Sequence, residues 1–196
     1  MTSRKLVGAA LAALASFAVL TGCASSDTAS TGHDMSTVKA PDPQQQADHN
    51  QADVTFAQGM IPHHEQALEM AKLVDGRTRN AKVVDLAARI RQAQDPEIQQ
   101  LNGLLKGWGV APSGEHSGHG SASGMMTEDD LAKLGKAKDA AFDKQWLEMM
   151  VKHHEGALEM AKTALQQGSN AEVKALAQKV IDGQQAEITE MRGLLG

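Results

Sequence analysis

The sequence predicts an all-α protein, a four-helix bundle made of two tandem repeated helical hairpins. Residues 53–105 recur at residues 143–195 with a constant offset of 90 and no gap, so the chain contains two copies of one unit. Within each copy, apolar residues recur at spacings of three and four, the pattern of one face of a helix. Two hairpins of equal length pack most economically as a bundle with a pseudo-twofold axis.

The apolar pattern of the first half predicts two helices. The first runs from about Gln51 through the first copy of the repeat. Because proline removes a backbone hydrogen bond, we expect this helix either to begin near Ile61 or to kink just before Pro62. Residues 76–80 form a turn, and the second helix follows from Ala81 to about Lys106.

The second half repeats this pattern after a short additional helix. Thr127 and Asp130 have the spacing of a capping box, which predicts a helix from Glu128 that Gly135 separates from the next one. Long helices are expected at residues 138–167 and at about 171–195, with Asn170 as the N-cap of the second. No segment has the pattern of a β-strand.

The N-terminus has the features of a bacterial lipoprotein signal. A basic start precedes a short apolar run, and Leu20-Thr21-Gly22-Cys23 resembles a lipobox with the only cysteine of the chain at the required position. We expect residues 1–22 to be removed and a lipid on Cys23 to anchor the protein to the outer face of the membrane or in the periplasm. The alternative is an ordinary signal peptide with an incidental cysteine.

Composition sets the remaining boundaries. Residues 23–50 are rich in Ser, Thr, Asp, Pro and Gln, which predicts a flexible tether ahead of one folded domain at residues 51–196. Its halves are residues 51–110 and 127–196, joined by a Gly/Ser linker at 111–126. A net charge of −5 without a basic run argues against nucleic acid as a partner. With one cysteine, neither a disulfide framework nor a thiolate metal site is available.

The most distinctive part of the repeat is a pattern of methionine and histidine on one helical face. Met-x-x-His-His-x-x-Ala-Leu-x-Met-Ala occurs in both copies. Methionine alone usually fills a core, and a lone histidine is usually a hydrogen-bonded core residue. Four buried imidazoles are harder to explain as packing, because each ring needs polar partners. The pattern therefore predicts metal ligands at Met60, His63, His64, Met70, Met150, His153, His154 and Met160.

The donor types favour copper over other metals. Thioether and imidazole suit Cu(I), and imidazole also accepts Cu(II). Zinc sites prefer Cys, His and carboxylate, whereas Glu65, Glu69, Glu155 and Glu159 are expected to face solvent. The same glutamates lack the Glu-x-x-His spacing of a di-iron bundle. The linker residues His116, His119, Met125 and Met126 are candidate auxiliary ligands that would capture metal for the folded site.

The duplicated motif also resembles the bacterial family catalogued as domain of unknown function 305. That family is grouped with ferritin-like bundles and has members associated with copper binding and copper tolerance outside the cytoplasm. The resemblance implies a ferritin-like fold over residues 51–196 and carries over to the eight motif residues. Pro62 fits the family's usual Met-x-Pro-His-His, whereas Lys152 at the equivalent position departs from it.

Together these features predict a lipid-anchored copper-binding protein outside the cytoplasm that buffers, sequesters or delivers copper, exchanging it with a donor or acceptor protein. One alternative is a metal-dependent oxidase or ferroxidase on the same scaffold. The other is a structural module of the cell envelope that binds no metal. The sequence leaves open whether the two motifs form one centre or two, and it leaves the oligomeric state open.

Overall fold

A computed structural model describes residues 48–112 and 124–196, which are all-helical with connecting turns. The helices are α1 (Gln51–Lys72), α2 (Ala81–Gly107), α3 (Glu128–Leu134), α4 (Asp139–Gln167) and α5 (Ala171–Leu195). Helix α1 packs against α2, α4 packs against α5, and the two hairpins meet along α1 and α4. The predicted fold of two repeated helical hairpins is confirmed.

Helix ends agree with the capping residues in the sequence. Asn50 accepts hydrogen bonds from the first turn of α1 and forms a capping box with Asp53, as Thr127 does with Asp130 at α3. Asn170 caps α5 through the backbone N–H groups of Glu172 and Val173. These side chains satisfy amides that a helix N-terminus leaves without an intrahelical partner, so they fix where each helix begins.

The helix that carries the first motif begins ten residues earlier than the alternative start near Ile61. Helix α1 begins at Gln51, not near Ile61, and continues past Pro62 to Lys72. Pro62 is exposed, so its ring faces solvent. The asparagine cap and the packing of α1 on both neighbouring helices outweigh one missing backbone hydrogen bond.

Two hydrophobic clusters fill the bundle. One contains Met70, Met150 and Trp146, and the other contains Met60, Phe56 and Leu101. Near the turn between α4 and α5, the buried carboxylate of Asp53 accepts hydrogen bonds from Ser169 and Asn170 and ties the hairpins together. No helix in residues 48–112 or 124–196 has a stretch long and apolar enough to cross a membrane.

Candidate metal centre

The two motifs meet where α1 and α4 cross. The rings of His63 and His153 lie with their centroids 3.8 Å apart at an interplanar angle of 36°. The ring of His154 lies 6.3 Å from that of His153. All of these side chains are buried. The duplication therefore produces one histidine cluster across the seam between the hairpins.

The second histidine of each motif points to the helix that follows it in its own hairpin. Nε2 of His64 lies 2.8 Å from Oε2 of Glu97 on α2, and Nε2 of His154 lies 2.7 Å from Oε2 of Glu187 on α5. An ionised carboxylate only accepts hydrogen bonds, so Nε2 of each neutral ring is the donor. Nδ1 then keeps its lone pair, and in both rings it is buried without a hydrogen-bond partner in the described part of the chain.

Histidines in metal sites often have this arrangement. Metal-bound imidazoles commonly donate their other N–H to a carboxylate, which fixes the tautomer and raises the basicity of the ligating nitrogen. In His64 and His154, Nδ1 is the ring atom whose lone pair is not used by a hydrogen bond with the described residues. The pseudo-twofold relation gives both halves the same geometry, with 33 residues between each histidine and its glutamate.

Sequence reasoning missed the two carboxylates. Glu65, Glu69, Glu155 and Glu159 are exposed, as expected. Two glutamates outside the motif do point inward, because the side chains of Glu97 and Glu187 are only 6% and 14% exposed. Both lie on the inner stripes of α2 and α5 at the repeat offset of 90, and this identity was the available signal.

Two glutamines extend the polar layer. Gln94 and Gln184 lie one turn before the buried glutamates and are 2% and 4% exposed. Both polar atoms of the Gln94 amide, and Oε1 of Gln184, lack a hydrogen-bond partner among the described residues. Buried amides normally have hydrogen-bond partners, so these glutamine atoms can accept or donate further hydrogen bonds in this layer.

Burial lowers the pKa of His153 well below its usual value, and repulsion from His63, His154 and His64 adds to this effect. Neither ring nitrogen of His153 makes a well-formed hydrogen bond with the described residues. The lowered pKa favours the neutral ring at neutral pH, and a neutral imidazole is the form that can bind a metal.

The motif methionines flank the histidine cluster along α1 and α4. Met60, Met70 and Met150 are fully buried, whereas Met160 is half-buried and lies against Gly59 of α1. Met70 and Met150 belong to one hydrophobic cluster, and Met60 belongs to the other, against which Met160 packs. Each of the two hydrophobic clusters is thus contacted by one methionine from each motif.

The grouping of the potential ligand side chains indicates which metals this site could bind. Within residues 48–112 and 124–196, no three side chains of His, Cys, Asp or Glu are grouped so as to surround one metal ion. Zinc and di-iron sites need such a group. Copper needs fewer imidazoles when thioethers complete its coordination, and the motif supplies both types of donor.

The remaining predicted residues are placed less fully. His116, His119 and Cys23 lie outside the described residues. Met125 is half-buried, and Met126 packs in the core. The Met126 backbone N–H donates to Oε1 of Gln66 at 2.7 Å, and its carbonyl accepts from Nε2 at 2.9 Å. The end of the linker is therefore fastened to α1 one turn after the histidines.

Comparison with known proteins places this geometry in a family. A sequence profile described as Domain of unknown function (DUF305) matches residues 53–195, which confirms the resemblance carried by the motif. A DUF305 protein of Streptomyces coelicolor, inferred to be secreted, has a crystal structure similar to this chain. It is 31% identical with a TM-score of 0.69, over 74% of this chain and 91% of that one.

Two further relatives differ in what they contribute. CopM, solved in a Cu(II)-bound form, is 28% identical with a TM-score of 0.64, over 73% of this chain and 95% of CopM. CopM has also been solved in a Cu(I)-bound form. An uncharacterized mimivirus protein, L153 of Acanthamoeba polyphaga mimivirus, is 38% identical over 53 residues. That match covers 27% of this chain and 35% of the viral protein, about a third of its length.

Proposed function

This chain belongs to the DUF305 family. We propose that it is a copper-binding protein in which both repeated motifs contribute ligands to the bound ion. The observation that carries the proposal is the meeting of His63 and His153 across the α1–α4 seam. Beside them, His64 and His154 each have a buried Nδ1 atom without a hydrogen-bond partner among the described residues. The Nε2 atom of each ring contacts a buried carboxylate. Copper is the cargo, and the protein buffers, sequesters or hands it on.

Cu(I) is the favoured form of the ion. The imidazoles are flanked by the thioethers of the motif, and soft sulfur donors select Cu(I). The ligands are proposed to come from the eight motif residues Met60, His63, His64, Met70, Met150, His153, His154 and Met160, of which an ion binds the few that lie closest to it. Imidazole also accepts Cu(II), so the same cluster would take both oxidation states. The structures of CopM with Cu(II) and with Cu(I) support this proposal by similarity.

A titration of the purified protein with Cu(I) against a competing chelator tests the function. Wild-type protein should bind Cu(I) tightly and stoichiometrically, and the double variant His63→Ala/His153→Ala should lose this binding. His49→Ala is the matched control, because His49 stacks on Trp108 with its ring 4.3 Å away and belongs to neither motif. Equal copper binding by the wild type and the double variant would overturn the proposal.

We also propose that the protein acts outside the cytoplasm, anchored by a lipid on Cys23. The lipobox in the sequence and the inferred secretion of the Streptomyces relative support this location. Labelling of cells with a fatty-acid analogue should mark the wild-type protein, and Cys23→Ser should abolish the label. A Cys23→Ser protein that still carries the label would contradict the anchor.

A further inference from the structure

Seven of the eight motif residues are inaccessible in the folded protein. Each of the four histidines and each of Met60, Met70 and Met150 is at most 1% exposed. An ion cannot reach such ligands without a path through the protein. Met160 is the exception, because its side chain is half-buried.

Met160 lies in an open groove between α1 and α4. The groove has a volume of about 540 Å³, and its walls include Thr55, Phe56 and Gly59 of α1 and Glu159 and Thr163 of α4. No lysine or arginine lines it, and Glu159 contributes the one carboxylate. A cation entering the groove therefore meets a wall without positive charge and a thioether in the same space.

The pseudo-twofold relation makes the absence of a side chain at Gly59 informative. The equivalent residue in the second half is Met149, which packs against the cluster of Met70 and Met150. Leu131 of α3 packs against the same cluster, and Met126 is buried in it. The corresponding end of the seam is thus filled by protein, whereas the Gly59 end is open.

We infer that the groove at Gly59 and Met160 is the entry port for Cu(I), and that the Met160 thioether receives the ion before it passes to the buried cluster. This inference rests on the proposed copper binding and adds a direction to it. One of two nearly equivalent motifs faces solvent, so the ion is loaded and released from one side. Gly59 keeps the port open because it places no side chain opposite Met160.

The substitution Gly59→Leu tests the port, because leucine occupies the space that Met149 takes in the other half without adding a sulfur donor for copper. A Cβ at residue 59 would lie 3.6 Å from Sδ of Met160, an ordinary contact, so the backbone accepts a side chain there. Transfer of Cu(I) from a chelator complex should become about tenfold slower, and release should slow by the same factor, leaving affinity unchanged. Gly59→Ala should fold as well and slow loading less.

Gly183→Leu provides the matched control. Gly183 lies inside α5, is exposed and has no atom within 4 Å of a built Cβ, so the same gain in helix propensity occurs away from the groove. Its loading rate should equal that of wild type. Unchanged loading in Gly59→Leu, with affinity intact, would overturn the port and leave copper binding standing. Absence of copper binding in the wild type would instead refute the proposed function.

Oxidation of the copper-free protein gives a second readout. Dilute hydrogen peroxide should convert Met160 to the sulfoxide before Met60, Met70 and Met150, because oxidation follows exposure. Gly59→Leu should slow the oxidation of Met160, as measured by peptide mass spectrometry. If Met160 is oxidised no faster than the three buried methionines, or if Gly59→Leu does not protect it, the groove is not the open side.

Discussion

The buried carboxylate behind His64 gives the sharpest prediction about how the site is built. Replacement of Glu97 by glutamine keeps the shape and an acceptor oxygen but removes the charge. Oε2 of Glu97 lies 2.8 Å from Nε2 of His64, and Oε1 lies 3.3 Å from Nζ of Lys179. The Lys179 side chain is 62% exposed, so loss of its partner costs little.

The magnitude follows from the lost charge on the hydrogen bond. A hydrogen bond to a charged group contributes about 1.5–3 kcal/mol and a neutral one about 1, so Glu97→Gln should reduce the free energy of unfolding by about 1–2 kcal/mol. For a domain of this size the midpoint of thermal unfolding should fall by about 2–8 °C. Cu(I) affinity should fall by about 10–100-fold, the usual cost of removing a carboxylate behind a ligating histidine.

Chelator competition and thermal melts of the same samples measure both effects. Glu187→Gln should behave like Glu97→Gln, because its contact with His154 at 2.7 Å is equivalent. Glu190→Gln is the control: it removes a partly exposed ion pair with Arg89 and should leave copper affinity unchanged. Lower stability of Glu97→Gln with unchanged copper affinity would refute the claim that the carboxylate prepares His64 for the metal.

Three further outcomes are expected. The free energy of unfolding of the copper-free protein should decrease as pH falls below about 6.5, because the pKa of His153 is lower in the folded state and the unfolded chain therefore binds the proton first. An unfolding free energy that stays constant from about pH 7 to about pH 5 would contradict this. Trp146→Phe should cost about 1–3 kcal/mol in chemical denaturation, since the indole N–H donates to the buried Met70 carbonyl at 2.9 Å, and a smaller loss would show that water replaces it. Asp53→Ala should destabilise by at least about 2 kcal/mol in chemical denaturation, because Ser169 and Asn170 lose a buried acceptor. Asp130→Ala, at position N3 of α3, should cost less because Asp130 is only partly buried, and an equal loss would contradict the role given to Asp53.

The helices and their caps could be predicted because they depend on local chemistry. Apolar spacing and the residues Asn170 and Thr127 determine them within a few positions along the chain. Pro62 was harder, because a local rule predicts a break and long-range packing of α1 overrides it.

The shared helical face of the motif residues could be predicted, but the buried carboxylates behind it could not. The position of His63 and His153 on one helical face follows from the repeat. The contact between their rings depends on how the two hairpins dock. Glu97 and Glu187 have a residue type that is usually exposed, so composition argues against their burial. Their identity at the repeat offset, on a stripe of buried residues, was the one sequence feature that could have indicated it.

The difference between the two halves could not be anticipated from the motif. The pattern is nearly the same in both copies, yet Met70 is buried and Met160 is half-buried. The difference arises in part from Met149, α3 and Met126, which pack against the Met70 end of the seam, whereas Gly59 leaves the Met160 end open. Nothing in the repeat itself encodes which end an inserted segment covers.

The central claim is that copper binds where the two motifs meet. Anomalous diffraction at the copper edge, from crystals grown with Cu(I), locates the ion directly. The expected result is density within bonding distance of His63 or His153, near the Nδ1 atoms of His64 and His154, together with a methionine sulfur of the motif. Copper found only at surface histidines such as His49, with the α1–α4 cluster empty, would contradict the account.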